Sequence, residues 1–87
     1  MSDHGLIHAS MAVTNAYVAV ERLRATEAKC DYEAAAVMDR MLEQKVDIGD
    51  LAIEYAAVVA KGRRATKRIA DAEHNLAESL VWLRESV

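Results

Sequence analysis

The chain has 87 residues, with 17 alanines, three glycines, one cysteine, no proline, no phenylalanine and a formal net charge of -3. This is the composition of long packed helices: it argues against a sheet-built domain, leaves room for one domain at most, and rules out an internal disulfide. The charge is too mild to draw the whole protein to nucleic acid, so the distribution of charged residues carries more information than their sum.

In chain order, residues 1–5 read as a flexible N-terminal tail and 6–87 as a single helical-hairpin domain. No basic leader precedes an apolar core and no run of about 18 apolar residues occurs, so neither a signal peptide nor a membrane span is expected, and the expected location is the cytoplasm. Ser10 and Thr14 are candidate caps for the first helix, although Leu6 and Ile7 allow an earlier start. From Leu6 the apolar positions keep a heptad register: Leu6, Val13, Val20, Ala34 and Met41 at one position, and Ala9, Ala16, Leu23, Cys30 and Val37 three residues later. Glu27 is the charged member of that stripe. It marks either a local specificity device or a break, and a break near Cys30-Asp31, with Asp31 as a cap, would make a three-helix bundle.

A turn is predicted near 46–50, where Gly49 offers backbone freedom and Asp47 and Asp50 can accept hydrogen bonds from the first N–H groups of a new helix. Beyond it the register resumes through Ile48, Tyr55, Gly62, Ile69, Leu76 and Leu83, with Leu51, Val58, Ala65 and Ala72 beside the first four. Folding the chain at Asp47 and Ile48 sets Val37 against Val58, Cys30 against Ala65, Leu23 against Ala72, Met41 against Tyr55 and Ala34 against Gly62. A glycine inside a helix costs roughly 1 kcal/mol relative to alanine, so Gly62 implies close approach to Ala34 or, alternatively, a second turn at Lys61-Gly62-Arg63. The expected fold is all-α: an antiparallel hairpin of two long helices that dimerises into a four-helix bundle.

One seam does not use up the apolar residues. Met38, Leu42, Ile53 and Trp82 fall outside it and are the candidate partner-interface residues, because contiguous exposed apolar surface marks an interface. The partner is expected to be a second copy of the chain, a larger protein, or both, and the function that of a non-enzymatic adaptor, inhibitor or assembly subunit. Cys30, at helical spacing, reads as a small buried residue, with a disulfide across a dimer axis as the alternative.

The charges come in blocks. Lys61, Arg63, Arg64, Lys67 and Arg68 are candidate nucleic-acid contacts, and a phosphate-binding patch is the rival reading. In a hairpin this run also lies alongside Glu27, Asp31 and Glu33, so its cations are expected to set the antiparallel register, with Lys67 and Asp71 paired within their own helix. No catalytic, cofactor or metal site is expected: His4 and His8 share a helix side but lack a third ligand, His74 lies far along the chain, and no phosphate loop or nucleophile–base pair is present.

Tyr32-Glu33-Ala34-Ala35, Leu42-Glu43-Gln44, Tyr55 and Ala72-Glu73 loosely resemble the small subunit of bacterial exodeoxyribonuclease VII, over roughly residues 32–76. The resemblance implies a helical hairpin that associates with a catalytic large subunit. The spacing from Tyr32 to Leu42-Glu43 is about one helical turn shorter than in that family, Lys45 stands where it has a glycine, and no functional residue is carried over.

Overall fold

A computed structural model describes residues 3–43 and 48–87. Two α-helices account for nearly all of them: α1 (Asp3–Glu43, 41 residues) and α2 (Ile48–Glu85, 38 residues). The cross-helix pairs run in opposite senses along the two helices. Arg40–Glu54 comes first from the turn end, then Cys30–Gly62, Glu27–Thr66 and Arg24–Glu73. The fold is therefore an antiparallel hairpin. No described helix is long and apolar enough to cross a membrane.

The seam follows the heptads. Ala9, Val20, Cys30 and Val37 are buried from α1, and Leu51, Ala65 and Ala72 from α2, while Val13, Ala16, Leu23, Ala34, Val58 and Leu76 are half-buried between them. The register continues in α2 through Ser79 and Ser86, which are also half-buried. A polar hydroxyl is tolerated there because each bonds back to its own helix, Ser79 to the Asn75 carbonyl at 2.8 Å and Ser86 to that of Trp82 at 2.8 Å. Thr14 does the same with the Ser10 carbonyl at 3.0 Å, so Ser10 and Thr14 lie inside α1 and do not cap it.

Several sequence expectations are corrected. α1 begins at Asp3, so residues 3–5 of the expected tail are helical. The helix runs unbroken through Cys30 and Asp31, which removes the three-helix alternative, and α2 runs unbroken through Gly62, which removes the second turn. Uninterrupted seam burial on both sides of each site accounts for this. Gly49 and Asp50 belong to α2, where Asp50 places negative charge in the first turn, favourable to the exposed N–H groups there. Lys45, Val46 and the proposed cap Asp47 lie outside the described residues.

Gly62 meets Cys30 rather than Ala34: a Cβ added to it would lie 3.2 Å from the Cys30 Cβ. Ala34, one turn away, lines the same hollow as Cys30 and Gly62. A seam residue packs into a hole between successive residues of the facing helix, so counting layers finds the hole but not its nearest wall. Glu27 is held by the Thr66 hydroxyl across the seam, which makes it a polar cross-link and not a break.

The result is a rod with principal extents of 68 × 14 × 13 Å and a radius of gyration of 19.5 Å. A compact chain of this length would have a radius near 12 Å. Its accessible surface is 6545 Å², and a compact monomer of this size exposes about 5,100 Å². The hairpin thus carries roughly 1,400 Å² more exposed surface than a compact chain would.

Candidate functional site: two unlike sides of the rod

A two-helix rod has two long sides where the flanks of the helices meet. Helical geometry, at 3.6 residues per turn, assigns each residue to one of them or to an outer back. One side carries the Arg24–Glu73 pair at 3.5 Å and a hollow lined by Asp31, Ala34, Ala35, Met38, Tyr55 and Val59. Arg63 and Thr66 line a second hollow on the same side, with Asp31 and Val59 again contributing. The other side carries the Arg40–Glu54 pair at 3.2 Å and a hollow lined by Leu23, Thr26, Lys61, Arg64, Ala65 and Arg68.

Large exposed apolar residues are distributed unevenly between these sides. Among the described residues, Ile7, Tyr17, Met38, Leu42 and Leu80 belong to the first, and only Trp82 to the second. We call them the apolar and the basic side. On the apolar side these residues form two zones. Met38 and Leu42 lie near the turn with Tyr55 and Val59, and Ile7, Tyr17 and Leu80 lie near the open end. Between them is a charged middle of Glu21, Arg24, Asp31, Arg63 and Glu73.

The four residues expected to form one partner interface are not brought together. Met38 (37% exposed) and Leu42 (79%) share the apolar side one turn apart. Ile53 (71%) is on the outer back of α2, and Trp82 (45%) is on the basic side at the far end of the rod. Tyr17 and Leu80 complete the apolar side and were not among the four expected interface residues. Their signal was present as apolar residues adjoining the seam stripe, but the flank on which they fall depends on how α2 docks.

The basic run is divided as well. Lys61, Arg64 and Arg68 share the basic side, Arg63 is on the apolar side, and Lys67 is on the outer back. All five are exposed, and none joins an ion pair within 4 Å among the described residues. They therefore do not set the register by pairing with Glu27, Asp31 or Glu33, and Lys67 does not pair with Asp71. The cross-helix ion pairs instead join arginines of α1 to glutamates of α2. Their side chains are about half exposed, which limits each pair to at most about 1 kcal/mol. Hydrophobic packing of the seam is the larger contribution to register.

Cys30 is buried at 3% exposure in the seam, where it lines the hollow it shares with Ala34 and Gly62. Among the described residues, no group of three or more histidine, cysteine, aspartate or glutamate side chains is gathered closely enough to hold a metal ion. The chain matches no protein-family model, no curated protein and no solved structure.

Proposed function

We propose that this hairpin is a non-enzymatic protein–protein interaction module, a small adaptor, inhibitor or assembly subunit that works by helix-face binding as a homo-oligomer or with a larger partner. The excess surface carries the reading. Among the described residues seven form the buried core, none of them a large side chain that is fully enclosed, while Tyr17, Met38, Leu42 and Leu80 stand on one side of the rod in water. Exposed apolar zones of this kind are stabilised by being covered, and a helical rod is covered most economically by other helices.

Light scattering on a size-exclusion column across a concentration series, read beside binding of a hydrophobic dye, tests this. A complex that excludes the dye is expected. Because Cys30 is enclosed, its mass should not change with reductant. A folded monomer that takes up no dye would overturn the reading, since the apolar side would then not be exposed.

A second reading, nucleic-acid binding, is favoured by one observation: Lys61, Arg64 and Arg68 line a single hollow to which no acidic side chain contributes. It predicts retention of DNA or RNA that falls steeply with salt and is lost when these three residues become glutamine. The same triple substitution leaves the oligomeric mass unchanged under the assembly reading. Absence of retention by the unaltered chain at low salt would dispose of the second reading.

A further inference from the structure

Resting on the assembly reading, we infer that the partner on the apolar side is a second copy of this chain, bound antiparallel so that the turn of each hairpin lies beside the open end of the other. Area is the first argument. Two chains each relieved of their excess of roughly 1,400 Å² would hide about 2,800 Å² between them, the range of obligate homodimers and more than a transient contact hides. The second argument is the distribution of apolar residues. The two apolar zones lie on either side of a charged middle, so a two-fold axis through the middle of the rod exchanges them.

The third argument is register. A two-fold axis near Glu27 and Ile69 lies within about four residues of the midpoint of either helix. Being perpendicular to the rod, it sets α1 of one copy against α1 of the other in the opposite sense. Arg24 lies three residues from Glu27 toward the open end and Asp31 four residues toward the turn, so at 1.5 Å per residue Arg24 of one copy stands within about 2 Å of the level of Asp31 of the other. Asp31 has no ion pair within its own chain among the described residues, and Arg24 reaches only Glu73 at 3.5 Å and Glu21 at 3.8 Å.

The fit extends to shape. Near the turn, the hollow with Ala34 and Ala35 among its walls is centred about ten residues from the axis, roughly 15 Å. Tyr17 and Leu80 stand ten and eleven residues from Glu27 and Ile69 in the other direction, so the partner offers protruding side chains where this copy has small ones. A parallel pairing, turn against turn, would instead set α1 against α2 of the other copy, bringing hollow against hollow and Tyr17 against Leu80, protruding side chains against protruding ones.

Charge reversal in the full chain tests partner and register together, with sedimentation equilibrium as the readout and circular dichroism to confirm helicity. Arg24→Asp and Asp31→Arg should each raise the dimer dissociation constant at least about tenfold, because each reversal acts twice across the axis. The double reversal should return it to within about threefold of the unaltered chain. Tyr17→Glu, at an exposed position, should dissociate the dimer while leaving the hairpin helical. A dimer indifferent to all three variants would overturn the inference and leave the assembly reading standing. A folded monomer that binds the hydrophobic dye would do the same and direct the search to a larger partner, whereas a monomer that binds no dye would remove both.

Discussion

Replacement of Val37 by aspartate is expected to unfold the hairpin. Val37 is 4% exposed and sits in the seam between two half-buried neighbours of the same stripe, Ala34 and Met41. No cation or polar side chain reaches it through the hydrogen bonds or ion pairs of the described residues. A carboxyl placed there must either remain charged in an apolar seam or take up a proton, and in both cases a polar group is buried without a partner. The expected cost is about 4 kcal/mol or more, against a total stability of roughly 4–13 kcal/mol for a chain of this length. With a core this small, that loss should abolish cooperative melting and most of the helical signal in circular dichroism. Ala36→Asp, one residue away at an exposed position, should leave both nearly unchanged. Equal melting of the two variants would mean that Val37 is not enclosed and that the seam is wrongly placed.

Gly62→Leu is expected to destabilise the hairpin even though it removes a glycine from a helix interior. Leucine should gain about 1 kcal/mol of helix propensity. Its first added carbon, however, would lie 3.2 Å from the Cys30 Cβ, an atom attached directly to the α1 backbone and unable to swing aside. The rest of the side chain would force the helices apart where they approach closely, an overpacking cost of about 1–3 kcal/mol and occasionally more. The net loss should reach up to about 2 kcal/mol, read as a fall in melting temperature of up to roughly 8–16 °C. Gly49→Ala supplies the opposite sign. It lies in the first turn of α2 with nothing within 4 Å of the added carbon, so it should raise stability by up to about 1 kcal/mol. If the two substitutions moved stability in the same direction, close approach would not be the reason for Gly62.

Together these variants separate what forms the hairpin from what covers it. Val37 and Gly62 act on packing between α1 and α2, whereas Tyr17, Arg24 and Asp31 are exposed and belong to the outer surface. Among the described residues, a buried seam of three alanines, two valines, one leucine and one cysteine brings the helices close and buries little area.

Much of the fold was legible in the residues themselves. Apolar side chains every three and four positions from Leu6 to Met41, and again from Ile48 to Leu83, can share a face only on a helix, and the absence of proline lets each helix run its full length. The reversal between them followed from the interruption near Gly49, although Gly49 itself proved to be helical. Glu27 was legible as an exception to the stripe, but its Thr66 partner was not, because that contact joins residues 39 apart in the chain.

The sequence by itself determined two amphipathic helices, their antiparallel pairing and the stripe each turns inward, since these depend on periodicity within a helix and on chain reversal. Only the tertiary structure decided that Gly62 abuts Cys30, that the basic run is shared among two sides and an outer back, and that Met38 and Leu42 stand with Tyr17 and Leu80 while Trp82 faces elsewhere. The physical reason is that a residue's angle is defined about its own helix axis. Which flank of α1 adjoins which flank of α2 is set by the docking of two side-chain surfaces, and no spacing along either helix contains it.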